Sequence, residues 1–93
     1  MNNSAVKNTA TLLITCPDSK GLVAAIADFL YQHNANILHA DQHQDAENNL
    51  FLMRVEWDLS GFSMPVAEFE QHFTSIAARF NMEWQLKLSN KPV

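Results

Sequence analysis

The hydrophobic pattern changes period along the chain, and each change marks an element. Residues 9–16, Thr-Ala-Thr-Leu-Leu-Ile-Thr-Cys, are β-branched or apolar at both parities, the pattern of a strand covered on more than one side and placed centrally in its sheet. Pro17 cannot donate to a ladder and closes that strand. Val23, Ile26, Ala27 and Leu30 then recur at helical spacing, with Asp28 and Gln32 turned to water. His33 and Asn34 end the helix, the asparagine suiting a left-handed cap. Residues 36–44 form a polar strand of the kind that lies at sheet edges. The stretch 45–49, Asp-Ala-Glu-Asn-Asn, is a turn by composition. After it Phe51, Met53, Val55 and Trp57 alternate with Leu52, Arg54 and Glu56, which predicts a half-buried antiparallel strand.

A loop punctuated by Gly61 follows, with Ser63 a candidate N-cap and Pro65 suited to the first helical position. Val66, Phe69, Phe73, Ile76, Ala77 and Phe80 hold a helical stripe, Asn81 stops it, and residues 82–88 read as a last strand. Residues 1–8 are small and polar, a frayed terminus, and residues 89–93 have the composition of a linker.

The order strand, helix, strand, strand, helix, strand is a split β-α-β pair. It predicts an α+β, ferredoxin-like βαββαβ sandwich: a four-stranded antiparallel sheet with two helices on one face. Right-handed crossovers put the first and third strands in the middle and the polar second strand at an edge. The other sheet face carries Leu52 and either Leu12 or Leu13 with no helix to cover it, which points to self-association.

Composition narrows the function. With 93 residues there is one domain and no room for a separate catalytic lobe. A net charge of −4 with six dispersed basic residues gives no footprint for nucleic acid or an anionic membrane. The single Cys16 cannot form an internal disulfide, and no apolar run approaches a membrane span, so a reduced, cytoplasmic setting is expected. One cysteine also excludes a two-thiolate copper site, and Phe51 alone is no stacking platform for RNA. The 17–22 loop has Lys20 as its only cation, which argues against a phosphate-cleaving cradle.

His39, Asp41 and His43 share a strand face, but the imidazoles stand about 13 Å apart, too far to hold one metal. They are edge-strand polar groups or a site bridging two copies; no metal site is assigned. Cys16 is either a buried thiol or one activated by the helix start beyond it. In that loop Asp18 or Ser19 can cap the helix while Gly21 lets the backbone approach a ligand, and the helix's free N–H groups suit an anion or carboxylate.

Three segments together carry a resemblance: Thr15-Cys16-Pro17-Asp18-Ser19-Lys20-Gly21-Leu22-Val23, Asn36-Ile37-Leu38, and Leu50-Phe51-Leu52-Met53-Arg54-Val55. With residues 76–84 they resemble the amino-terminal ACT domain of the formyltetrahydrofolate deformylases. The Asp-x-x-Gly-Leu loop marks ACT domains at large, and the Cys-Pro before it and the Phe-x-Met-Arg strand narrow the likeness. Asn48-Asn49 replaces a common Thr-Gly, Leu52 a common Phe, and His43 a common aromatic.

The resemblance implies a regulatory module that binds a small amino-acid effector, glycine or methionine, and pairs as a homodimer. Its ligand would lie on Asp18, Ser19, Lys20, Gly21 and Leu22, against Asn36, Ile37 and His39 of a partner's second strand. It implies no cofactor and no catalytic residue in this chain. Hydrolysis of 10-formyltetrahydrofolate to formate and tetrahydrofolate, in one-carbon and purine metabolism, would belong to a formyltransferase-like domain in cis beyond Val93. The alternative is a free-standing ACT-type adaptor or dimerisation module acting through protein partners in amino-acid-responsive control.

Overall fold

A computed structural model of the chain describes residues 7–91. It contains β1 (Lys7–Pro17), α1 (Leu22–Gln32), β2 (Asn36–Asp45), β3 (Leu50–Asp58), α2 (Val66–Phe80) and β4 (Glu83–Lys91). The strands lie in the order β2-β3-β1-β4 and every neighbouring pair is antiparallel. This is the expected ferredoxin-like sandwich with β1 and β3 inside.

The side-chain alternation explains which face the helices cover. Ala10, Leu12, Ile14 and Cys16 of β1 and Phe51, Met53, Val55 and Trp57 of β3 are buried in one cluster with Leu22, Ile26 and Leu30 of α1 and Phe69, Phe73 and Ala77 of α2. Both helices therefore sit on one face, and Leu12 is in the core while Leu13 turns to the helix-free side. The α2 phenylalanines are core: Phe69 and Phe73 stack with centroids 5.4 Å apart, and Trp84 meets Phe73 edge-on at 5.0 Å. Trp57 packs against Phe62 and Phe69, and its buried Nε1 has no hydrogen-bond partner among the described residues. The large apolar contact of the indole offsets that cost.

Several local expectations are corrected. On α1 Ile26 and Leu30 are buried as expected, but Leu22 joins them in place of Val23, which is 37% exposed. Ser63 does not cap α2; Pro65 stands at the N-cap with an extended ψ of 148°, and no side chain bonds the first turn. Ser63 instead donates through its backbone N–H and its hydroxyl to the carbonyl of His33, at 2.9 and 3.0 Å, which ties the loop to the end of α1. β1 and β4 also run longer than their composition suggests. Lys7 pairs with Lys91 and Asn8 with Asn90, because an antiparallel ladder satisfies backbone groups whatever the side chains. Residues 1–6 and 92–93 lie outside the described residues.

Both helices end in the same way. Asn34 and Asn81 take left-handed φ values of 64° and 56°. Ala35 N–H donates to Leu30 O and Asn34 N–H to Tyr31 O, and Met82 and Asn81 repeat the pair on Ala77 and Ala78. These are Schellman closures that satisfy otherwise free carbonyls. The Asn34 amide also donates to the carbonyl of Gly61, itself at φ 78°, and so links the two connections at that end of the sheet. In the β2–β3 turn, hydrogen bonds from the side chain and backbone of Asn48 hold the Asp45 carboxyl below the usual carboxylate range.

The Asn81 cap gives a direct test. Asn81→Ala places a Cβ-bearing residue without local hydrogen bonding in a left-handed conformation and should cost about 1 kcal/mol, whereas Asn81→Gly should be neutral or slightly stabilising. Urea unfolding of the two variants against the parent chain reads the difference.

Candidate functional site: a groove between the start of α1 and the edge strand

β2 is an edge strand that the helices do not reach. Ala40, Gln42 and Gln44 pair with Val55, Met53 and Phe51, all buried, so these positions face the helix layer. All three are nevertheless exposed. The gap left between α1 and β2 is a groove of about 290 Å³. Asp18, Ser19, Gly21 and the first turn of α1 line one side, Gln42 and Gln44 the other, with Phe51 between them.

The β1–α1 loop is held at its start, through the backbone and the side chain of Asp18. The backbone N–H of Asp18 donates to Asn49 O at 2.9 Å, tying the loop to the hairpin turn. The Asp18 carboxylate accepts from Gln44 Nε2, also at 2.9 Å. Neither Asp18 nor Ser19 caps α1, contrary to expectation: the N-cap is Gly21, at φ 83° and ψ 2°, with no side-chain cap. Asp18 is engaged toward β2 instead.

The first intrahelical bond runs from Ala25 N–H to Gly21 O at 2.9 Å. The N–H groups of Leu22, Val23 and Ala24 thus have no intrahelical acceptor, as in any first turn. A Cβ built on Gly21 meets nothing within 4 Å, so glycine is required there by its positive φ, with open space before it.

The groove therefore combines unpaired N–H donors, one carboxylate, two amides and an apolar floor. Such a set suits a small molecule carrying both a negative and a positive group. Lys20 is exposed and outside the lining. Asn36, Ile37 and His39 lie at the far end of β2: Asn36 pairs with Asp58 whereas Gln44 pairs with Phe51, about 24 Å along the sheet. Within one chain they do not meet the loop. Gln42 and Gln44 were missed by sequence reading, although the period of two already put both on one face of a polar strand.

His39, Asp41 and His43 do share a face, opposite Glu56, Arg54 and Leu52 on the helix-free side. Among the described residues no cluster of three or more metal-ligating side chains occurs. A second hollow of about 280 Å³ lies on that side, between Leu13, Thr15, Asp41, His43, Leu52 and Arg54, across the sheet from the loop. No helix among the described residues is long and apolar enough to cross a membrane.

The order of the elements, the sheet topology and the loop at the β1–α1 turn are those of one class of small module, and the chain belongs to the ACT domain family, which it matches over residues 10–76. Its individual relatives are more particular. It is 46% identical over 83 residues to a formyltetrahydrofolate deformylase of Synechocystis, covering 89% of this chain and 29% of that protein. It is 37% identical to the Bacillus subtilis enzyme of the same name, covering 86% of this chain and 27% of the relative.

A crystal structure of a formyltetrahydrofolate deformylase from Pseudomonas syringae superposes with a TM-score of 0.85 at 35% identity, over 88% of this chain and 28% of that one. An ACT domain protein from Streptococcus pneumoniae, at 16% identity and a TM-score of 0.73, shares the fold over 88% of this chain and 90% of its own. The likeness to deformylase ACT domains expected from the loop and the Phe-x-Met-Arg strand holds. The chain spans less than a third of the length of the curated relatives it matches.

Cys16, two residues before Asp18 and outside the groove lining, lies in the core, 1% exposed. Burial, and secondarily the Asp18 carboxylate, push its thiol above the ordinary cysteine value. A group of raised pKa is a poor nucleophile at neutral pH. Iodoacetamide should label the native chain at pH 7.5 more than about a hundredfold more slowly than the urea-unfolded chain, because reaction waits on opening.

Proposed function

We propose that this chain is the regulatory, amino-acid-binding domain of a formyltetrahydrofolate deformylase, working in the cytoplasm in cis with a formyltransferase-like catalytic domain. The whole enzyme would hydrolyse 10-formyltetrahydrofolate to formate and tetrahydrofolate, serving one-carbon and purine metabolism. The 46% identity to a curated deformylase across 89% of the chain carries this reading and favours it over a free-standing adaptor. The groove at Asp18, Ser19, Gly21 and Leu22 supplies the matching chemistry. The effector's carboxylate would accept from the N–H groups of Gly21 and Leu22, and its ammonium would pair with Asp18.

A dimer completes the reading. β2 offers a free edge on which Ile37 and Leu38 are 42% and 36% exposed. Antiparallel pairing of two such edges about a two-fold near Ala40 brings the start of the partner's β2, Asn36 and Ile37, alongside the Gln44 end and joins the sheets. The end of β2 that is remote within one chain thereby reaches the other chain's loop, with Ile37 on the helix side beside it and Lys20 at the rim, while His39 stays on the helix-free face. Glycine and methionine are the effectors, as reporters of the one-carbon pool.

Thermal unfolding against the twenty amino acids tests this. A ligand at about a hundredfold its dissociation constant adds roughly 2.7 kcal/mol, a rise of several degrees for a domain this small. A selective rise with glycine or methionine, abolished by Asp18→Ala, is expected. A dimer that responds to no amino acid would overturn the effector role.

A further inference from the structure

We propose that Gln44 is a positioning residue of the effector site, holding the Asp18 carboxylate over the groove from the edge strand. The inference rests on the effector reading above and adds to it a residue of the same chain that the family likeness did not supply. Gln44 faces the helix layer because it pairs with buried Phe51, yet no helix covers it. Its amide is thereby left to cross the gap and donate to Asp18 Oδ2 at 2.9 Å, between residues 26 apart in sequence.

Among the described residues Asp18 is otherwise fixed through its backbone alone, by the N–H bond to Asn49. Without Gln44 its side chain would be free to take several rotamers, and a ligand would bear the cost of ordering it. One neutral amide bond leaves the second carboxylate oxygen open and leaves the negative charge undiminished. A lysine or arginine at position 44 would have cancelled that charge, and an apolar residue would not have aimed it. Gln42, one pleat away on the same face, lines the groove beside it and bonds no side chain among the described residues.

The test is titration calorimetry with glycine and with L-methionine on the parent chain, on Gln44→Ala and on Gln44→Glu. Gln44→Ala should bind the effector about five- to tenfold more weakly, while its unfolding in the absence of ligand stays cooperative with at most a small fall in midpoint. Gln44→Glu sets a second carboxylate against Asp18 and should bind weakly at neutral pH. As pH falls from about 7 toward 5 the pair can share one proton, restoring both the bridging hydrogen bond and the single negative charge, so affinity should recover.

The parent chain is titrated over the same range as the control, and the recovery is read as the ratio of the two affinities. A merely structural glutamine would produce no such recovery. Parental affinity in Gln44→Ala, or a flat pH profile in Gln44→Glu, overturns the proposal. If the parent chain itself binds neither amino acid, it is the effector reading that fails, and the role given to Gln44 falls with it.

Discussion

The burial of β1 is the constraint on which the rest of this molecule depends. This strand has a long partner on both sides, β3 from Thr9 to Pro17 and β4 from Lys7 to Thr15. Its alternate side chains Ala10, Leu12, Ile14 and Cys16 are each at most 2% exposed under the helices. Such a strand cannot shift by one residue without turning its whole apolar set to solvent. Its register therefore fixes where Pro17 falls, and with it where the backbone leaves the sheet. The loop that follows is short and tied at Asp18 to the neighbouring hairpin, so the position of the groove is inherited from the core.

Polar residues matter most where the core ends. Two asparagines in left-handed conformations close the helices, Ser63 and Asn34 tie the connections together, and Gly21 starts α1 without any side-chain cap. Each bond is small alone, on the order of 1 kcal/mol. Together they decide which way α1 points, and hence how wide a gap it leaves to β2.

Much of the fold was legible in the sequence, because period is a property of neighbouring residues. The alternation of Phe51, Met53, Val55 and Trp57 and the stripe of Phe69, Phe73 and Ala77 fixed elements and faces. Asn34 and Asn81 announced their caps by residue type. What was not legible depended on contacts between distant segments. Nothing local says that Asp18 turns to Gln44 rather than to the helix, or that Ser63 reaches His33. On α1 Ile26 and Leu30 are buried as expected, but in the first turn Leu22 takes the place expected of Val23, since the two are equally apolar and only packing chooses between them. The candidate loop was found from Asp18 and Gly21, but its opposite wall was not, because Gln42 and Gln44 carry no signal beyond being polar.

The exposure of β2 along nearly its whole length has a consequence for motion. A strand with one ladder, an uncovered face on each side and few apolar contacts is where local opening costs least, and the protection of its amides against exchange should fall well below that of β1. The groove thus spans a gradient of rigidity, its loop moored to the most protected strand and its far wall built on the least protected one. A molecule bridging the two would draw the sheet's loosest member into the cooperative unit of its firmest, so that filling the site would be felt as the quieting of an edge as much as the occupation of a space.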